Sequence, residues 1–122
     1  METKSPRLAV ISLWAEDLPT TVHFYRDAVG LELLPHHGHR PAFALGNQTF
    51  LVIVQGQPDT AKYHGEGRFP EIAFAVDDLD AAMARLEAHG VTFPDAVHEG
   101  ENERWVIFSD PAGNLVEFVQ LR

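Results

Sequence analysis

The chain repeats itself. Segment 10–18 reads VISLWAEDL and leads into a helical stretch ending at Gly30, and segment 71–79 reads EIAFAVDDL and leads into another ending at Gly90. Val10 and Glu71 are 61 residues apart, and so are Asp17 and Asp78. A self-similar period of this kind sets the architecture before any single residue does. Each copy is too short to bury a core of its own, so the copies read as paired modules that share one core and one site. Where they differ bears on function, because the second copy has a carboxylate, Glu71, where the first has Val10.

Local signals divide each copy in the same way. Residues 8–14 form an apolar run, Asp17 offers a helix N-cap, Pro19 is tolerated in the first turn, and Gly30 supplies the left-handed stop. The spacing predicts a helix from about 18 to 29, with Val22, Tyr25 and Val29, and also Phe24 and Ala28, on its apolar face. Strands are expected over 31–34, 41–45 and 49–54, separated by turn-like segments at 36–39 and 46–48. Residues 55–68, rich in Gly, Pro, Asp and Gln, read as a linker. The second copy then gives a strand over 69–76 and a helix capped by Asp78 with Leu79, Ala82, Met83 and Leu86 inward. Strands are expected after it over 91–97, 103–109 and 114–121, with a tight turn at 110–114. The fold class is therefore α+β: tandem βαβββ modules at about 7–54 and 69–121 within one domain of residues 1–122.

Composition removes several function classes. A net charge of −9 with only nine Lys and Arg, well dispersed, argues against nucleic acid and favours a neutral or cationic ligand. The absence of cysteine excludes disulfides, thiolate metal sites and a cysteine nucleophile, so any metal must be held by nitrogen or oxygen. The N-terminus lacks an apolar signal core and nothing approaches the roughly 20 apolar residues of a membrane span, so a cytoplasmic location is expected.

Strand alternation sorts side chains onto faces. Ile11, Leu13 and Ala15 would face the helix, leaving Val10, Ser12 and Trp14 opposite; Ile72, Phe74 and Val76 would do the same, leaving Glu71, Ala73 and Ala75. In the final strand Val116 and Phe118 make the core face, so Leu115, Glu117 and Val119 point away from it. Glu71 and Glu117 thus share the concave side. Taken with these faces, segment 16–31 (EDLPTTVHFYRDAVGL) and segment 108–117 (FSDPAGNLVE) resemble the vicinal oxygen chelate superfamily, which includes glyoxalase I, bleomycin resistance proteins and extradiol dioxygenases.

The resemblance implies curled sheets around a cavity, commonly within a homodimer. In metal-using members the ligands come from the first and last strand of each module. By position, Glu71 and Glu117 fill both slots of module two, whereas Val10 occupies the first slot of module one and segment 49–54 offers no His, Glu, Asp or Gln. Thr49 is the only polar residue there. Two carboxylates hold a hard divalent ion only when water or substrate completes the shell, so the expected cofactor is none, or a weakly held divalent metal. Alternatively Glu71 pairs with Arg68, Arg104 or a cationic ligand, or the two carboxylates, buried without metal, raise a pKa and suit one of them to act as a general base. The same resemblance sends Trp105 and Ile107 into the pocket, beside Trp14 and Ser12 on the first strand. Among the seven histidines, His36, His37 and His39 crowd a loop, His23 and His89 belong to helices, and His64 and His98 fall where loops rim the cavity.

The expected function is a small-molecule binder that sequesters a planar or cationic compound without a tight metal. The alternative is a divergent metal-dependent lyase or isomerase of the glyoxalase type, with Glu71 and Glu117 on the metal. A homodimer is expected, with no nucleic-acid or membrane partner.

Overall fold

A computed structural model describes residues 8–35, 40–57 and 71–122. The predicted helix begins on schedule. Asp17 is extended and its Oδ1 accepts from Thr20 N at 3.1 Å, opening α1 (Leu18–His23). The helix does not continue as an α-helix to 29. Over Phe24–Val29 it widens into a π-helical segment, in which Gly30 N donates to Tyr25 O at 3.1 Å before Gly30 turns left-handed at φ 92°. The wider turn accompanies the burial of Phe24, Tyr25 and Ala28 together. In the second module Asp78 caps α2 (Leu79–Ala88) through Ala81 N in the same manner.

Strand β1 (Val10–Ala15) lies parallel to β4 (Phe50–Gln55), and β3 (Ala42–Ala44) joins β4 to the short edge strand β2 (Glu32–Leu33). Strand β5 (Ile72–Ala75) lies parallel to β8 (Leu115–Leu121), with β7 (Glu103–Ser109) and then β6 (His98–Glu99) beyond it. Each module is thus a four-stranded mixed sheet with the same order, as the repeat requires. One expectation fails: residues 91–97 form no strand, and β6 begins only at His98. Val91, Phe93 and Val97 pack against the core, so the apolar rhythm there records burial, while Pro94 has no N–H to give a ladder.

The core is continuous across the repeat. Ala15, Phe43, Leu51 and Ile53 of the first sheet join Ile72, Val106, Phe108, Val116 and Phe118 of the second, with Phe24, Tyr25, Leu79 and Leu86 from the helical segments between them. Phe24 meets Phe108 at a ring separation of 6.2 Å, and Arg85 Nε reaches Asp27 O at 3.0 Å, so each module's helix supports the other. The repeat also extends to the strand ends. Gln55 donates to Glu16 O in module one, and Gln120 Oε1 accepts from Leu79 N at 2.7 Å in module two, each tying a last strand to the turn that opens a helix.

Candidate functional site

Register turns the concave face of the second sheet into rows. The first row runs His98, Trp105, Val119, Ala75; the next runs Ile107, Glu117, Ala73; the third pairs Ser109 with Leu115. Glu71 directly precedes β5, diagonal to Glu117. On the first sheet the corresponding rows are Val10–Phe50–Ala44–Glu32, then Ser12–Val52–Ala42, then Trp14–Val54. The structure therefore groups Glu71, Glu117, Trp105 and Ile107 on one sheet and Ser12 with Trp14 on the other. Among the described residues no hydrogen bond, ion pair or ring contact joins the two groups.

The Glu117 carboxyl lies beside that of Glu71, close enough to feel both its hydrogen-bonding oxygens and its charge. Burial first, and then the hydrogen bond and negative charge of Glu71, push the Glu117 carboxyl up to about 7. Neither arginine weighed against Glu71 meets it among the described residues: Arg104 binds Glu99 at 2.9 Å and Asp80 at 3.2 Å, and Arg68 lies outside them. Among the described residues, the carboxyl pair on this face has no cation paired with it.

The same alignment identifies the module-one slots. Ala73 opposes Glu117 as Ser12 opposes Val52, so the counterparts of Glu71 and Glu117 are Val10 and Val52. Thr49 is elsewhere, its hydroxyl donating to Leu8 O at 2.8 Å. Two adjoining carboxyls, matched in the other module by two hydrocarbon side chains, are a poor donor set for a tightly held divalent ion. No group of three or more His, Asp or Glu side chains converges on a metal position among the described residues. The loop histidines His36, His37 and His39, and His64, fall outside the described residues. His23 pairs with Asp27 at 2.7 Å and His89 contacts Arg85 O at 2.9 Å, both on the helix side.

The aromatic element of the site is larger than the sequence suggested. The His98 and Trp105 rings stack with centroids 3.9 Å apart and planes 4° from parallel. Trp14 is 51% exposed and lies over Gly56, where a Cβ would come within 2.4 Å of its ring. Among the described residues the large exposed apolar side chains are Leu8, Val10, Trp14 and Leu121, and all belong by alternation to the concave faces.

The tight turn at 110–114 does not line this face. Asp110 is buried and accepts from Tyr25 Oη at 2.7 Å, Asn114 Nδ2 at 2.9 Å, Asn114 N at 2.8 Å and Ala112 N at 3.0 Å. Burial raises its pKa even though these bonds favour the carboxylate, and burial together with Asp110 holds the Tyr25 hydroxyl well above its usual range. Asn114 Nδ2 also donates to Trp14 O at 3.0 Å. The turn is a staple between modules that fixes the end of β1 and hence the placement of Trp14. A cleft of about 420 Å³ on the helix side, bounded by Phe24, His89, Val91 and Pro111, touches Asp110 but has no comparable reactive group free.

Over most of its length the chain is similar to solved proteins of this architecture. It is 28% identical to TnmS3, an antibiotic binding protein from Streptomyces sp. CB03234, with TM-score 0.76 over 99% of this chain and 100% of that one. It is 31% identical to a glyoxalase/bleomycin resistance protein from the same organism, with TM-score 0.69 over 92% of this chain and 98% of that one. It is 28% identical to a lactoylglutathione lyase from Agrobacterium tumefaciens, with TM-score 0.70 over 97% and 95% respectively. Residues 7–118 match the family model of that description, and the chain belongs to the Glyoxalase/Bleomycin resistance protein/Dioxygenase superfamily.

Proposed function

We propose that this protein binds a planar, cationic small molecule on the concave face of its second sheet, without a tightly held metal. The observation that carries the reading is the juxtaposition of an aromatic platform, Trp105 with His98, and one row away a carboxyl pair with no arginine partner among the described residues. An indole face adds roughly 0.5–1.5 kcal/mol for an aromatic partner beyond buried area, and attracts cations as well. The carboxyl pair supplies the opposite charge and an acceptor. The likeness to an antibiotic binding protein supports a sequestering role.

The open concave faces, with Val10 at 49% and Trp14 at 51% exposure, favour closure by a second copy in a two-fold homodimer. Ser12 and Trp14 of one protomer would then complete the site of the other. Light scattering at micromolar concentration gives the check, and a strict monomer counts against closure.

A lyase or isomerase reading is the second candidate, because a carboxyl near 7 is suited to proton transfer at neutral pH and one similar structure is a lactoylglutathione lyase. A panel of planar cations read by tryptophan quenching, run beside turnover of the glutathione hemithioacetal of methylglyoxal with added divalent ions, separates the readings. Quenching without turnover is expected. Turnover with no binding of the panel replaces the binder with the lyase.

A further inference from the structure

We infer that His98 is a displaceable stand-in for the ligand: in the free protein its imidazole covers the indole face of Trp105 that a planar ligand takes when it binds. The inference rests on the reading of this face as the binding site and adds the residue that sets its selectivity.

Three features carry it. First, the pair is stacked flat, as a planar ligand on the indole would be. Rings 3.9 Å apart and 4° from parallel are in full face-to-face contact, whereas the core aromatic pairs are tilted or edge-on, with Phe108 and Phe118 at 77° and Phe24 and Tyr25 at 88°. A flat heterocycle in contact with that face would occupy the volume the imidazole fills. Second, the two partners are held unequally. Trp105 is half-buried in the central part of β7, paired to Val119 on one side and His98 on the other. His98 is exposed on the two-residue edge strand β6, and no hydrogen bond to another described residue ties its ring. A change of side-chain rotamer therefore uncovers the indole without breaking a ladder or a core contact. Third, the carboxyl pair of Glu71 and Glu117 lies one row further along the same face, so a cation seated on Trp105 is within reach of negative charge.

A stand-in has a definite energetic signature. Covering the platform lowers the fraction of protein competent to bind, and the apparent affinity falls by that fraction. Removing the imidazole should tighten binding by the strength of one aromatic stack, roughly three- to tenfold. A fixed wall of the pocket would behave in the opposite way, because its removal deletes a ligand contact.

The probe is 9-aminoacridinium, a flat cation whose own fluorescence anisotropy reports binding. Wild type, His98→Ala and His98→Phe are titrated in parallel, and the His98 ring protons of the wild type are followed by NMR, assigned from their loss in His98→Ala. In the free protein these protons should resonate upfield of the other histidines, because they lie over the indole. The expected result is tighter binding to His98→Ala, weaker binding to His98→Phe, whose ring competes better for the indole, and collapse of the upfield shift at saturation. Binding to His98→Ala alone also supports the inference. Equal or weaker binding to His98→Ala, an upfield shift that survives saturation, or no upfield shift in the free protein overturns it while leaving the binding reading standing. No binding to any of the three proteins overturns both.

Discussion

The carboxyl pair makes a prediction that can be worked through in free energy. In the folded protein Glu117 holds its proton to about pH 7, against the 4.5 of an ordinary glutamate, because of burial and of Glu71 beside it. Between those values the folded state binds more protons than the unfolded chain, so stability falls as pH rises through the window; the contribution is fully present below about 4.5 and lost above about 7. Taken whole, such a shift corresponds to roughly 3 kcal/mol. Glu117 is only half-buried and water screens the pair, which leaves roughly 1–2 kcal/mol. Glu117→Gln keeps a donor toward Glu71 and removes the titration. Urea denaturation of both proteins at pH 5, 6, 7 and 8, at fixed protein concentration and with chelator present, isolates the pair, since every other ionisation is common to the two. The variant should match the wild type near pH 5 and exceed it by roughly 1–2 kcal/mol at pH 8. A stability difference that stays constant across the series would show that the carboxyls do not share a proton, and the description of the site as an uncompensated pair would fall with it.

Other consequences can be checked independently. Tyr25→Phe removes one of the donors to buried Asp110 and should cost about 1.5–3 kcal/mol in urea denaturation, because a charged acceptor loses a partner where water cannot replace it; a loss below about 0.5 kcal/mol would argue that the staple between modules is unimportant. Gly56→Ala places a methyl within 2.4 Å of the Trp14 ring, so the indole must move outward, with a red-shifted emission spectrum and weaker binding of planar cations; an unchanged spectrum would contradict the placement of Trp14. Val10→His adds a nitrogen ligand at the slot matching Glu71, and nickel affinity by calorimetry should rise roughly tenfold or more if the slots meet across a dimer. Unchanged nickel binding would mean that the slots do not meet.

Much of this protein is legible from its residues alone, because those features are local. The 61-residue repeat, the caps at Asp17 and Asp78, and the assignment of Ile11, Leu13, Ile72 and Phe74 to the core side each follow from the neighbours of a residue and the period of its element. Glu71 and Glu117 could be put on one face for the same reason. Periodicity misled at 91–97, where apolar spacing reflected burial of Val91, Phe93 and Val97 without strand pairing. Nor does it report how a helix ends, and the π-helical turn over Phe24–Val29 carried no signal beyond Gly30. Relations between distant residues, by contrast, emerge only once the chain has folded. Val52 as the counterpart of Glu117, His98 opposite Trp105, Tyr25 on Asp110 across 85 residues and Asn114 on Trp14 across 100 depend on strand register and on the docking of one module against the other. A shift of a single residue in register would move Val52, Glu117, His98 or Trp105 to the opposite face of its sheet, and that register is set by packing of the whole core, to which no one segment holds the key.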